Sequence, residues 1–310
     1  MVTRQIKLEG PGIYGTVVRA GLLRDLLGIV IEGSAGAVRL RTQGRSVARG
    51  TPPAWIPKAS DFLVRILKGS TLLEIKAPTL LEARPEELRQ AEMFPEIDPD
   101  LTSFDYFVES VESAIEEEES SAFDKNFLVL LSRFEGIFAQ GIDSVFLKAS
   151  PQRHEREIQI RRADPKRFRA LQRRIPAPRR VRIAGKLDSI RHSDSTYLLL
   201  LPDGQKIRGI AEHIPSKILH RSWGQPVVMS GTAFFTASGD IQRIESDNMG
   251  DASDRDVQLW AFAPPALETT LPHQSLRVSQ GPRSGLNAII GKWPGEESDE
   301  EVAIALKELS

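Results

Sequence analysis

Apolar residues recur along this chain with two periods, and the switch between them marks its elements. Residues 4–9 (RQIKLE) alternate polar and apolar, the period of a short strand. From Val17 to Leu40 the period lengthens. Val18, Leu22, Leu23, Leu26, Leu27, Val30 and Ile31 fall at i, i+3, i+4 and i+7, which predicts an amphipathic helix. Gly21, Gly28, Gly33 and Gly36 weigh against its being unbroken, since glycine inside a helix costs about 1 kcal/mol relative to alanine. Residues 44–55 read as a loop from their Gly, Pro and Ser. Asp61 to Lys68 and Thr71 to Ala77 flank Gly69-Ser70 and predict a hairpin. Thr79 to Pro99 is an acidic connection. Ser103 to Glu119 predicts a helix with Ser103 as N-cap and Phe104, Phe107, Val108, Val111 and Ile115 on one face. A second helix is expected at 123–139, bearing Phe127, Leu130, Leu131, Phe134 and Phe138, then a strand from Ile142 to Lys148. Residues 1–149 thus predict an α+β domain.

The next stretch, 150–180, reads as a basic linker with one short helix, Lys166 to Arg174, started by Pro165. Residues 181–248 then alternate as five strands with one helix. The strands are Val181 to Arg191, Thr196 to Leu201, Gln205 to Ala211, Gln225 to Thr236 and Ile241 to Glu245, and the helix is Ile214 to Trp223. Pro202-Asp203-Gly204 and Ser238-Gly239-Asp240 are turns by their residue types. The order β-β-β-α-β-β predicts an OB-like small barrel, with Gly185 and Gly231 where tight strands must bend. Residues 249–284 are polar and proline-spotted, the composition of a flexible linker, with Leu259, Trp260 and Phe262 as the residues that would dock on a surface.

Charge adds an asymmetry that the net value of −1 conceals. Residues 82–124 carry fifteen acids against two bases, whereas 151–185 carry twelve Lys/Arg against three acids. Such blocks either pair with each other or face different partners. The absence of cysteine excludes a disulfide framework, thiol catalysis and cysteine-ligated metal, and suits a reducing compartment. The first ten residues lack the apolar core of a signal peptide, and no apolar run approaches a membrane span. The expectation is a cytoplasmic protein that does not contact a membrane.

No phosphate loop, dinucleotide fingerprint or nucleophile elbow occurs. His154, His192, His213, His220 and His273 lack metal-ligand spacing, and Glu116 to Glu119 lack the pattern of a calcium loop. Asp188, His192, Asp194 and Ser195 sit together where a polar turn between strands is expected. No catalytic residue, metal or cofactor is therefore expected.

The chemistry-bearing segment is the last, 285–310. Leu286, Ile289, Ile290 and Trp293 share one helical face, which Pro294-Gly295 ends. Ser298 to Glu301 form a capping box for a second helix, whose apolar face is Val302, Ala305, Leu306 and Leu309. Helices this short are marginal alone and need a surface to dock on. The stretch GKWPGEESDEEVAIALKELS resembles the C-terminal tail of bacterial antitoxin-like proteins found with PIN-domain toxins. Gly291, Lys292, Trp293, Pro294, Gly295, Glu296, Ser298, Glu300, Glu301, Leu306 and Leu309 carry the resemblance. It implies a tail that wraps a metal-dependent ribonuclease and inhibits it, with Lys292 reaching toward the acidic metal site of that toxin–antitoxin partner. The partner-binding residues are then Leu286, Ile289, Ile290, Lys292, Trp293, Pro294, Val302, Leu306 and Leu309. The competing reading is a nucleic-acid-binding OB-fold protein that uses Arg161, Arg162, Arg167, Arg173, Arg174, Arg179 and Arg180 on phosphates. Phe168 and Tyr197 are the few aromatics near them.

Overall fold

The computed structural model describes residues 1–12, 17–48, 53–67, 71–83, 97–117, 120–149, 156–191, 195–266 and Ser298. The chain divides into two units, Met1–Leu267 and Glu268–Ser310, and of the second only Ser298 is described. The first unit combines α and β structure around two separate hydrophobic cores.

The first core lies against an antiparallel sheet. Its strands are β1 (Val2–Glu9), β2 (Leu63–Ile66), β3 (Leu72–Ala77), β4 (Ser144–Ala149) and β5 (Arg156–Arg161), in the order β2-β3-β1-β4-β5. Central β1 buries Arg4, Ile6 and Leu8 and leaves the residues between them more exposed, so the period-two pattern sets one face on the core. Ile6 stands between Leu73 of β3 and Leu147 of β4.

The helices are α1 (Ala20–Gln43), α2 (Trp55–Ala59), α3 (Leu80–Ala83), α4 (Ser103–Ile115), α5 (Lys125–Ser132), α6 (Phe134–Ala139) and α7 (Asp164–Arg174). α1 runs unbroken through its four glycines. Gly33 shows why one is tolerated: a Cβ there would lie 2.4 Å from Cε2 of the buried Phe107 ring on α4. Helix propensity is given up for a close helix approach.

α4 is capped one residue earlier than expected. Thr102, not Ser103, holds the extended N-cap conformation, and its hydroxyl accepts from the amide of Asp105 at 3.2 Å. The Asp105 carboxylate accepts the Thr102 amide in return at 2.8 Å. The same carboxylate takes Arg4 Nε at 2.6 Å and Nη2 at 2.7 Å, so a fully desolvated two-pronged ion pair fastens α4 to β1. The helix stops at Ile115, short of the expected Glu119, and Glu117 adopts a left-handed φ of 54°. The single helix expected at 123–139 is two, because Arg133 bonds back to Leu130 as well as Leu131 and interrupts the i→i+4 ladder.

Of the stretch 150–180, expected as a basic linker with one short helix, residues 156–174 form a strand, β5, and the expected helix, α7, both packed into the fold. β5 pairs along β4 from Ala149↔Arg156 to Ser144↔Arg161, and α7 buries Phe168 and Leu171 in the first core. Ile158 and Ile160 point to the core between charged neighbours.

The second core fills a closed five-stranded barrel. Its strands are β6 (Arg179–Arg191), β7 (Thr196–Leu200), β8 (Lys206–Ile210), β9 (Pro226–Phe235) and β10 (Ile241–Asp251), ordered β10-β8-β7-β6-β9, with α8 (Ser216–Arg221) between β8 and β9. The expected β-β-β-α-β-β order is present. β10 runs parallel to β8 through Ile244↔Gly209 and antiparallel to β9, which closes the ring. Its last residues, expected in a linker, extend the strand to Asp251. At Gly231 a Cβ would lie 2.2 Å from the Glu245 carbonyl, beside the register shift at Ser246/Asn248. That bend excludes any side chain. α9 (Asp254–Trp260) lies against β6, where Arg182 bonds Asp256 at 3.0 Å and sits over the Trp260 ring. Trp260 thus docks, while Leu259 and Phe262 stay exposed.

Two predictions follow from the buried polar groups. Asp105→Ala leaves Arg4 charged and unpaired in the core and should cost about 3–5 kcal/mol in urea unfolding. A loss below about 1 kcal/mol would mean that the pair contributes little. Tyr106 is the second group: its hydroxyl accepts the Asp98 amide at 2.7 Å, and burial pushes its pKa up from 10.0 to about 12. A raised pKa favours the fold below the ordinary value and loses that contribution as pH climbs through the folded one. The urea midpoint should therefore fall between pH 10 and pH 12, less steeply in Tyr106→Phe. An equal fall in both proteins would show that Tyr106 ionises freely.

Candidate functional site

α1 presents Ile31, Ala35 and Arg39 as one stripe at i, i+4 and i+8, exposed at Ile31 and half-buried at Ala35 and Arg39. It forms one wall of a groove of about 1010 Å³. Ile56, Pro57 and Lys58 of α2, with Asp61 and Phe62 after it, form the second wall. Phe127, Val129 and Leu130 of α5 form the third, and Val47 stands at the rim. The connection after α1 holds these walls apart. Gly44 ends α1 with a left-handed φ of 70°, and Ser46 then donates its amide and its hydroxyl to Asp124 at 2.8 and 2.6 Å. Asp124 also caps α5 by accepting from Phe127 N at 2.8 Å, so one carboxylate fixes the start of α5 relative to the end of α1.

Two features mark the groove. Ile31, Val47 and Val129 are 41%, 59% and 48% exposed, so three large aliphatic side chains face one opening. Arg39 is half-buried, and its Nε is sealed from solvent with no acceptor among the described residues. Burial first, and then the nearby Arg45, draw its pKa below the ordinary arginine value. Of the other cations at the wall, Arg133 is paired with Glu32 and Lys58 is exposed.

Three arginines missed by sequence reasoning converge one turn further along α1. Arg208 of β8 donates to the Leu40 carbonyl at 3.2 Å, Arg191 of β6 to Thr42 at 2.7 Å, and Arg243 of β10 to Gly44 at 3.0 Å. All three carbonyls lie at the C-terminal end of α1, the negative end of its dipole; that of Leu40 also accepts the Gly44 amide at 2.9 Å, so Arg208 is its second donor. Arg243 also lies 3.7 Å from the centroid of the Phe234 ring and bonds Glu245 at 3.0 Å, and burial lowers its pKa. Gln242 adds bonds to the Phe123 and Ser121 carbonyls at 3.1 and 3.3 Å. The outer face of the barrel at β8 and β10 is therefore occupied by the first domain. Gln242 and Arg243 are both buried, where alternation alone would expose one of them, and nothing in the sequence marks this.

The arginines proposed for nucleic acid are spread over several elements and mostly engaged. Arg161 bonds Gln159, Arg162 pairs with Asp143 at 3.0 Å and Arg167 lies 3.6 Å from Asp164. Arg174 pairs with Glu117 at 2.9 Å, one link between the basic and acidic blocks, and Arg180 pairs with Asp247. Arg179 has a buried Nε without an acceptor, and Arg173 is exposed with no acid partner among the described residues. Phe168 and Tyr197 are buried, the latter with its hydroxyl 2.6 Å from Ser246, so neither offers a stacking surface.

Among the described residues no three His, Asp or Glu side chains gather as metal ligands, and no helix is long and apolar enough to cross a membrane. Ser195 has a left-handed φ of 54°, the geometry of a turn; His192 and Asp194 lie outside the described residues. So do Leu286, Ile289, Ile290, Lys292, Trp293, Pro294, Val302, Leu306 and Leu309. Comparison with protein-family models, with curated proteins and with solved structures finds no match.

The arginine joint generates one prediction. Arg243→Met keeps the bulk and deletes the donor to Gly44, so it should lower stability by about 1.5–3 kcal/mol, the range for hydrogen bonds to charged groups. An unchanged urea midpoint would show that water replaces this cap at no cost.

Proposed function

We propose that this is a non-enzymatic cytoplasmic binding protein, antitoxin-like in mode, whose segment 285–310 grips a partner protein, with a PIN-domain ribonuclease as the leading partner class. The observation that carries the reading is the division of the chain at Leu267/Glu268. The anchor pattern of Leu286, Ile289, Ile290 and Trp293 falls in the sequence range of the second unit, and the two cores of the described residues in that of the first. Trp293 is the main anchor, because a large aromatic side chain gains most from a desolvated pocket. Ile289, Ile290, Leu306 and Leu309 support it, and Lys292 reaches toward acidic groups on the partner.

We read the barrel as OB-like, from its strand order, its helix between the third and fourth strands and its parallel closure of the third on the fifth. Its outer face at β8 and β10 carries the end of α1, which suits a scaffold better than a reader of nucleic acid.

The test is a tagged pull-down from the native cell with the full chain, Trp293→Ala and a chain stopped after Ser284. A small nuclease recovered by the full chain, inhibited by it, and bound about thirtyfold more weakly by Trp293→Ala supports the reading, since hot-spot truncation costs about 2 kcal/mol or more. Recovery of the same proteins by all three chains would overturn it, as would failure of the shortened chain to fold.

A further inference from the structure

We propose that the groove between α1, α2 and α5 binds a monoanionic amphiphile, a carboxylate on an aliphatic body, with Arg39 receiving the carboxylate. The proposal does not rest on the reading of residues 285–310. Its volume of about 1010 Å³ suits a small ligand. Its walls supply the apolar part: Ile31, Ala35, Ile56, Phe62, Val129 and Leu130 converge on it. Aliphatic side chains left this open in water gain by being covered, at roughly 25 cal/mol per Å² of apolar surface.

Charge selects the head group. The cations at the wall are Arg39, Lys58 and Arg133, and the acids are Glu32 and Asp61. Glu32 is held by Arg133, and Lys58 and Asp61 are both exposed on the α2 side. Arg39 is the half-buried one, with no acid or acceptor partner among the described residues. Nearby Arg45 is engaged by Glu212 and Glu245 and adds positive potential. A carboxylate beside Arg39 compensates a cation that no acid among the described residues pairs with, and a guanidinium presents paired donors that match a carboxylate's two oxygens. An uncharged ligand of the same length gains the apolar contacts and none of this.

The experiment is isothermal titration of the full chain with decanoate and with decanol at pH 8, repeated on Arg39→Met and Val129→Asp. Val129 is 48% exposed and Arg39 half-buried, so both substitutions spare the cores, and circular dichroism checks that the variants stay folded. The expected result is saturable binding of one decanoate per chain, weakened at least tenfold by Arg39→Met, the scale of a hydrogen bond to a charged group. Decanol should bind more weakly and be indifferent to Arg39→Met, and Val129→Asp should weaken both ligands. No saturable decanoate binding would overturn the proposal. So would decanoate affinity unchanged in Arg39→Met, or unchanged in Val129→Asp, which would put the ligand elsewhere.

Discussion

The C-terminal end of α1 is the constraint on which the rest of the first unit depends. The two hydrophobic cores do not merge, so the barrel is not joined to the α+β domain through a shared apolar interior. The joint is polar instead. Leu40, Thr42 and Gly44 each give a carbonyl to an arginine from a different barrel strand. A helix end buried without donors would be costly, because each unpaired buried carbonyl forfeits its solvation. Here the barrel supplies the donors, and the positive guanidinium groups meet the negative pole of the helix. Arg45 and Gln242 extend the same logic, one pairing with Glu212 and the other bonding the chain just before α5. The barrel thereby completes α1, and α1 in turn covers the outside of the barrel.

α1 has a second role one turn earlier. Arg39 lines the groove while its neighbours in sequence serve the joint, and Arg45 of the joint acts electrostatically on it. Asp124 binds both Ser46 and the first turn of α5, so the loop that leaves the joint also fixes the far wall of the groove. The groove and the domain joint are therefore built from the same turn of helix and the same eight-residue stretch after Arg39.

Much of this fold was legible in the sequence where burial is one-sided. Most of the stripe of α1, the face of α4 and the alternation of β6 to β10 follow from residues that meet one core; Ile31, expected on that stripe, is exposed at the groove, and Ile29 is buried in its place. The turn at Pro202-Asp203-Gly204 is where residue chemistry placed it, with Gly204 at φ 87°. Two kinds of feature were hidden. Charge masked pattern in β5 and on the inward face of α7, whose helix was expected from Pro165: Ile158, Ile160, Phe168 and Leu171 are buried among arginines, four of which pair with Glu117, Glu135, Asp143 and Asp164. The joint was hidden because its acceptors are backbone carbonyls, which carry no signature in sequence, and its donors are isolated arginines in otherwise ordinary strands. Arg39 was hidden for the opposite reason: its distinction is a buried Nε with no acceptor among the described residues, which only three-dimensional placement reveals.

Residue-resolved native-state hydrogen exchange tests the joint most directly, because it reports the free energy of opening for each core separately. If arginine capping of α1 makes one cooperative body of the two cores, the slowest amides of β1 and β4 and those of β7 and β8 exchange with the same free energy and the same denaturant dependence. Barrel amides that exchange through a distinctly cheaper opening, while β1 and β4 stay protected, would contradict this account and show that the barrel unfolds on its own.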